Sequence, residues 1–565
     1  MHKQWEKHYS QAALTFDPAR TENRTLVQMF EVAVRSYGDR PALTTILPTG
    51  ADSTITFAEL DAQSDQFAGY LREDLGLVAG DTVALMAPNC IGFCVASLGI
   101  AKAGCISTNV NPLYTAQELE HQLVDSDARV LVIIDLFGDK VDQVIGQTNV
   151  KHVVTLSLVD FFPTFKKALL GFVLKHVRKV IPDMSTPHVR MSQALERGRK
   201  SIQGKNVSAY SDHIKPTDTA LYQYTSGTTG RSKGAELSHE AVVLNAHQAF
   251  LTTESEMGDS GETALVVLPL YHITAYVLLF VAGLQTGGHG VLVPSPRPPS
   301  NLKTAFEKYK PTWFIGINTL YAAMMVEPWF DKKMLSDVRF CGSGGAAQQV
   351  GVATKWQDMT GISIHQGYGM TEIAGVLTMN PPSDNRLGKV GIPVPGAEIR
   401  IVDEDGKDVP TGEPGEVIAR GPTLMKGYLN RPDATAETLR DGWLYSGDIG
   451  VMDGDGFLEI VDRKKDMILV SGFNVSPNEI EDVISTVPGV VQVGVIGIPD
   501  EKSAEVPAAF VVRGDDALTE DAILAACREV LTSYKVPKQV HFVDEVPVTL
   551  SGKVLRRKLR DDYLK

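Results

Sequence analysis

Cysteine is scarce and unpatterned: Cys90, Cys94, Cys105, Cys341 and Cys527 are the only five in 565 residues, with no C-x-x-C pair. That excludes a disulfide framework or a zinc ribbon and fits a reducing compartment, with free thiols buried in apolar stretches. Basic charge is in deficit, 54 Lys and Arg against 68 Asp and Glu, for a net charge of −14. Binding along a nucleic-acid backbone needs a net basic face, so nucleic acid is excluded as a main partner. No H-E-x-x-H motif, internal repeat or low-complexity tract occurs. The first nine residues have no apolar core, so no secretory signal is expected. Charge is absent from 263 to 296, long enough to raise the question of a membrane span. Pro269 and His272 interrupt that stretch, and Gly283, Gly287, Gly288 and Gly290 break its second half. A buried strand–loop–helix–strand is the expectation.

What is present is an ordinary globular composition, 43% hydrophobic and 22% charged, able to bury a large core. At roughly 100–200 residues per domain the length allows about three to five domain-sized units. Short apolar runs at 82–86, 130–134, 264–268 and 291–293 alternate with helical patterns such as 92–102 and 276–284. This predicts doubly wound, mostly parallel sheets. After about 387 the strand-like runs 397–403, 416–420 and 456–461 are separated by turn-rich Asp/Gly clusters, which predicts antiparallel hairpins. After Asp462 a separate α+β unit of about 100 residues is expected, with Thr519 as the N-cap of a helix over 520–531. The segment 161–182 is basic and amphipathic, with Lys166, Lys167, Lys175, Arg178 and Lys179 and no acidic residue. It reads either as a helix for a membrane surface or partner, or as a partly buried helix with a solvated basic face.

The densest chemical signal is Tyr224-Thr225-Ser226-Gly227-Thr228-Thr229-Gly230-Arg231-Ser232-Lys233-Gly234. Its glycines free the backbone to curl N–H groups around an anion, its hydroxyls add donors, and Lys233 brings a point charge suited to phosphate. It is not a Walker A loop, because Arg231 and Ser232 separate Gly230 from Lys233. Further on, Gly367-Tyr368-Gly369-Met370-Thr371-Glu372 combines an aromatic face, a hydroxyl and a carboxylate. Asp448 in Tyr445-Ser446-Gly447-Asp448 is an acceptor-only group suited to paired hydroxyls. Cys341 stands where a G-x-S-x-G elbow around Ser343 would need glycine, which excludes that nucleophile. Asp453-Gly454-Asp455-Gly456 is a hairpin turn, since Lys464 stands where a calcium loop needs Glu. Near the end, Leu550-Ser551-Gly552-Lys553 offers a single lysine, followed by Arg556, Arg557 and Lys558, which read as a solvated basic tail.

These motifs and their order, from residue 225 to residue 553, resemble the signatures of the adenylate-forming, AMP-binding superfamily. That superfamily contains acyl-CoA synthetases, peptide-synthetase adenylation domains and beetle luciferases; Ser232 stands where it often has Pro. The resemblance implies an α/β fold. A large N-terminal domain (1–462) of doubly wound sheets would include a small β-barrel-like part at about 387–462, followed by a small mobile α+β lid (463–565). ATP would be held by Thr225, Ser226, Gly227, Thr228, Thr229, Gly230 and Lys233. Gly344, Gly345 and Ala346 would lie against the adenine with Gly367, Tyr368 and Gly369, the tyrosine ring stacked on the base. Thr371 would contact the α-phosphate, Asp448 and Arg463 the ribose, and Glu372 would help hold Mg²⁺. Lys553 would enter the site to relieve repulsion between a carboxylate and the triphosphate. Lys233, Thr371, Glu372 and Lys553 are the implied catalytic set. The lid would swing about Lys465 and bring Ser471, Gly472 and Phe473 beside CoA.

Residues 269–276 contain no Asp or Glu to meet an amino acid's ammonium group, and no carrier domain is expected after Lys565. His272, Trp313 and Gly316 are the candidate acyl-pocket residues. The uncharged stretch 312–325 reads as an apolar acyl tunnel or as ordinary core. Asn109-Val110-Asn111-Pro112-Leu113-Tyr114 and the basic segment 161–182 extend the resemblance to bacterial long-chain fatty acid–CoA ligases. The implied activity is ATP-dependent conversion of a fatty acid to acyl-CoA through an acyl-adenylate, releasing pyrophosphate and AMP. Medium-chain or aryl acid–CoA ligation, and acyl-AMP transfer to a carrier protein, are the alternatives. The expected location is cytoplasmic, with peripheral contact through 161–182 on the inner face of the membrane, and a homodimer is admitted.

Overall fold

Strands whose two faces are both apolar, separated by helices, build two large sheets in the N-terminal part. The computed structural model describes residues 3–225, 232–258, 261–463, 465–471, 473–500, 503–549 and 552–563. Among these, one seven-stranded sheet runs Val189–Arg190, His152–Leu156, Ala128–Ile134, Thr82–Met86, Ile106–Asn109, Thr219–Thr225, Lys233–Ser238, with only the last strand antiparallel. A nine-stranded sheet has six central parallel strands, in the order Ile364–Met370, Phe340–Ser343, Trp313–Gly316, Thr263–Val266, His289–Leu292, Pro41–Ile46. Antiparallel strands close both of its edges.

Helix Ile91–Lys102 contacts Thr82–Met86 of the first sheet and Pro41–Ile46 of the second, and all 12 of its residues are buried. A helix apolar on every side belongs between layers rather than on a surface. Its one charge, Lys102, ends the helix against Asp61 and Asp65, each at 2.6 Å. The charge-free stretch forms strand Thr263–Val266, a helical run from Ile273–Ala275 through a wider turn at Tyr276–Val281 to Ala282–Gln285, and strand His289–Leu292. No helix among the described residues is long and apolar enough to cross a membrane. All five cysteines are buried free thiols.

Beyond these sheets, Glu398–Val402, Gly415–Arg420, Leu439–Arg440, Trp443–Met452 and Leu458–Arg463 pair antiparallel in a third sheet. The C-terminal strands Ile468–Val470, Phe473–Val475, Val490–Asp500, Ala504–Arg513 and Gln539–Phe542 form a fourth. Together with helices Pro477–Thr486 and Glu520–Val530 they enclose a separate apolar core that includes Ile468, Ile480, Val495 and Ile523. Thr519 caps the second of these helices by accepting from the Ala522 N–H.

The basic amphipathic segment forms helix Thr164–Phe172 and one wider turn, Val173–Val177, with no buried residue in either. Phe165 is 80% exposed, Phe172 59% and Val177 63%. The segment divides: Phe165, Leu169, Phe172 and Val177 are exposed beside exposed Lys166, Lys175, Arg178 and Lys179, while Leu170, Val173 and Leu174 are half-buried.

Candidate active site

Parallel strands release their chains at one end, and ligands of open α/β sheets gather there. Strand Phe340–Ser343 runs into Gly344 and Gly345, and Gly345 takes φ +81°, a left-handed conformation that glycine adopts without strain. Its parallel neighbour Ile364–Met370 carries Gly367, Tyr368 and Gly369. That strand then turns at Thr371–Ile373, where Thr371 is buried and Glu372 half-buried.

Gly345, Gly367, Tyr368 and Gly369 border two spaces at once. On one side is a polar cleft of about 1250 Å³ between the large part and the C-terminal unit. Ala346, Asp448, Arg463 and Lys553 line it as well. The Tyr368 hydroxyl donates to Asp448 Oδ2 (2.6 Å), and Arg463 Nε lies 3.1 Å from Asp448 Oδ1. A carboxylate offers about four acceptor directions, so Asp448 keeps capacity for a diol while both oxygens are oriented. Burial, then the nearby Arg463 guanidinium, pushes the Lys553 ammonium down to about 8, against the pull of Asp448 and Asp466. No ion pair reaches Lys553 among the described residues, which leaves its charge free for an anionic ligand.

Arg556, expected in a solvated tail, is instead largely enclosed, its side chain 11% exposed. Its guanidinium donates to Asn478 Oδ1 (2.6 Å), Glu481 Oε1 (2.9 Å) and Val495 O (3.1 Å). The Arg-Arg-Lys run conceals this, because the compensating carboxylate lies 75 residues away.

Thr225 and Lys233 are register partners at the mouth of an antiparallel hairpin. Ser226, Gly227, Thr228, Thr229 and Gly230 lie outside the described residues. The Lys233 ammonium stands 4.8 Å from the ring centroid of Tyr428, whose hydroxyl donates to Glu372 Oε1 (2.6 Å). Tyr428 thus joins the candidate phosphate-binding lysine to the candidate metal carboxylate. A lone tyrosine in Lys426-Gly427-Tyr428 carries no spacing signal, and the motif reading passes over it. Among the described residues no cluster of three or more His, Cys, Asp or Glu could hold a metal by itself.

The other side is apolar. A space of about 450 Å³ lies against Gly344, Gly345, Gly367 and Gly369. It shares Leu278, Ile315, Phe340 and Met379 with a second cavity of about 640 Å³, lined also by Ala264, Ala282, Gly283 and Gly290. Trp313 lines this second cavity; His272 and Gly316 line neither. Burial pushes the His272 imidazole down to about 4, and its Nδ1 accepts from the Thr274 N–H. Within 312–325, Trp313 and Ile315 face the apolar cavities, Asn318 and Thr319 face the polar cleft, and Tyr321 is core.

Lys465 sits in the turn closed by the Asp466 N–H donating to Arg463 O (2.9 Å). Ser471 (φ +50°) and Phe473, which stacks on Tyr534, lie on the C-terminal unit outside the cleft that Lys553 lines. Gly472 lies outside the described residues.

Residues 30–429 match the family model described as AMP-binding enzyme, and residues 479–553 match that of the AMP-binding enzyme C-terminal domain. The chain is 42% identical over 565 residues to a long-chain-fatty-acid–CoA ligase of Escherichia coli O157:H7, covering 100% of this chain and 98% of the relative. It is 40% identical over 573 residues to the enzyme so named from Haemophilus influenzae, covering 100% and 99%. Among solved structures, the anthranilate CoA ligase AuaEII in complex with anthranoyl-AMP superposes with a TM-score of 0.84 at 26% identity, over 97% of this chain and 99% of that one.

Proposed function

The chain belongs to the AMP-binding enzyme family, and from that premise we infer that it is an AMP-forming acyl-CoA synthetase that activates a long-chain fatty acid. One observation carries this reading: a single wall, Gly345 with Gly367–Gly369, borders a polar cleft on one face and apolar cavities on the other. An acyl-adenylate is itself polar at one end and apolar at the other, joined at the carbonyl, and such a wall suits that junction.

In the first step a carboxylate oxygen attacks the α-phosphorus of ATP, the α–β anhydride bond breaks, and pyrophosphate leaves. Tyr368 offers its face to adenine, while Asp448, oriented by Tyr368 and Arg463, accepts from the ribose hydroxyls. Thr371 donates at the α-phosphate. Lys233 and Lys553 bring positive charge to the phosphates, a preorganised field where negative charge builds up. The lone Glu372 carboxylate suits Mg²⁺, which binds through one or two carboxylates plus substrate phosphate, and would hold it there. When bound, the ion would neutralise phosphate charge. In the second step the unit 463–565 turns about Lys465, withdraws Lys553, and brings Ser471 and Phe473 beside the CoA thiol arm. The CoA thiol then loses its proton and attacks the acyl carbon, and AMP leaves with the electron pair of the broken C–O bond. Lid motions of this kind are hinge closures at a few residues.

The test is CoA-dependent AMP release across saturated acids from C2 to C20 and aryl acids. The expected result is a maximum in kcat/KM among the long chains, because the second cavity adds apolar surface only they reach. A maximum at aryl acids, or AMP release independent of CoA, would overturn the reading.

The exposed helix Thr164–Phe172 and the turn after it give this enzyme a shallow dock on anionic lipid, where its substrate partitions. Outward Phe165 and Phe172 insert among acyl chains while the basic residues meet headgroups, each basic side chain contributing about 1 kcal/mol near an anionic surface. Flotation with anionic vesicles is expected at low salt and weakened at high salt. Neutralising Lys166, Lys167, Lys175, Arg178 and Lys179 together is expected to abolish it; unchanged flotation would remove the dock.

A further inference from the structure

Two helices meet where the large part and the C-terminal unit touch: Val350–Thr360 from the first and Pro477–Thr486 from the second. Their contact is reciprocal at the helix ends. Gln349 gives helix Val350–Thr360 no side-chain cap, and the Val350 N–H donates instead to Asp482 Oδ1 of the other unit (3.4 Å). A carboxylate at a helix N-terminus meets both unpaired N–H groups and the positive end of the dipole. In return, Lys355 Nζ donates to Ser485 O (2.9 Å), a carbonyl in the last turn of the opposing helix, where a cation is favoured. Gly351 lies between the two contacts. A Cβ there would fall 2.6 Å from Ser485 Oγ and 2.7 Å from its carbonyl carbon and oxygen, so the backbones approach as closely as glycine permits.

The same helix of the C-terminal unit holds the Lys553 segment. Glu481, next to Asp482, pairs with Arg556 (2.9 Å), three residues beyond Lys553. A continuous set of contacts therefore runs from Gly351 and Lys355 through Asp482 and Ser485, then Glu481 and Arg556, to the lysine in the cleft. Ser471 and Phe473 lie outside that cleft in the same arrangement.

We propose that Gly351, Lys355 and Asp482 are positioning residues for adenylate formation: they form a seam that holds Lys553 in the cleft and that is not used in thioester formation. The inference rests on the acyl-adenylate reading above. Positioning matters here because a charge displaced by about 1 Å can cost 10²-fold in rate.

The test measures the two half-reactions separately on the full chain: pyrophosphate release with ATP and fatty acid, and acyl-CoA formation from synthetic acyl-adenylate. Wild type must perform both; if it performs neither, the acyl-adenylate reading has failed and not the seam. Gly351→Ala is expected to slow pyrophosphate release at least tenfold, by misplacement of the charge, with acyl-CoA formation from the adenylate within twofold of wild type. Lys355→Ala is expected to show the same one-sided loss, about tenfold for a charged hydrogen bond, and Lys355→Arg to recover most of it. Exposed Thr354, on the same helix, serves as control: Thr354→Ala is expected to alter neither step. Equal losses in both half-reactions would show a merely structural role and overturn the proposal, as would unchanged pyrophosphate release in both Gly351→Ala and Lys355→Ala.

Discussion

Lys553→Ala is expected to slow pyrophosphate release by about 10²–10³-fold, the usual cost of removing one preorganised charge-stabilising group, while conversion of supplied acyl-adenylate to acyl-CoA stays near wild type. The asymmetry follows from where negative charge accumulates. Only the first step brings a carboxylate against a triphosphate, and only then does the Lys553 ammonium, half-buried in the cleft, have that charge to offset. Its titration supplies a second signature. Burial holds the Lys553 ammonium down at about 8 in the free enzyme, so its positive charge is present below that pH and lost as pH rises through it. The profile of kcat/KM for ATP, which reports the free enzyme, is therefore expected to fall on its alkaline side near pH 8. Lys553→Arg keeps its charge throughout that range and is expected to remove the alkaline limb, at a lower plateau because the guanidinium is larger. Pyrophosphate release in Lys553→Ala equal to wild type would place the essential charge elsewhere, with Lys233 the next candidate.

Residues that sit in short, compact motifs were legible in the sequence as one set. Gly345, Tyr368, Asp448, Arg463 and Lys553, scattered over more than two hundred positions, line one cleft in the structure. Tyr368 and Asp448 sit within strands Ile364–Met370 and Trp443–Met452, and the short motifs around them were what made them legible. Partnerships across the fold left no such trace. Tyr428 bridges Lys233 and Glu372 through a ring face and a hydroxyl, and neither contact imposes a spacing. Arg556 reads as surface charge until Glu481 is placed beside it. The stretch 312–325 illustrates a third limit. Its lack of charge is shared by cavity wall, cleft wall and core, so composition could not divide Trp313 and Ile315 from Asn318 or Tyr321. The segment 161–182 was ambiguous for the opposite reason: an amphipathic pattern specifies an apolar face, and only tertiary packing determines whether anything covers it.

Gly283→Phe is expected to convert a long-chain preference into a medium-chain one. Gly283 lies on Ala282–Gln285 and lines the second apolar cavity, and a Cβ there meets no heavy atom within 4 Å. The new ring has nowhere to clash at its base and extends into the space the acyl tail would fill. Replacing a helical glycine also favours the fold by a few tenths of a kcal/mol, so lost activity would not reflect lost stability. If the ring displaces about four methylenes at ~0.8 kcal/mol each, transition-state stabilisation for a C16 acid falls by about 3 kcal/mol, or about 10²-fold in kcat/KM. A C8 acid ends before the ring and is expected to keep its rate within a few-fold. The result is diagnostic because Gly283 lines only the second cavity and not the one against Gly345 and Gly367–Gly369, so only a chain that passes Leu278, Ile315, Phe340 and Met379 into the second space meets position 283. Parallel losses for C16 and C8 would mean that the acyl group does not reach the second cavity as proposed, and chain-length selection would then belong to Leu278, Ile315, Phe340 and Met379, which line both spaces.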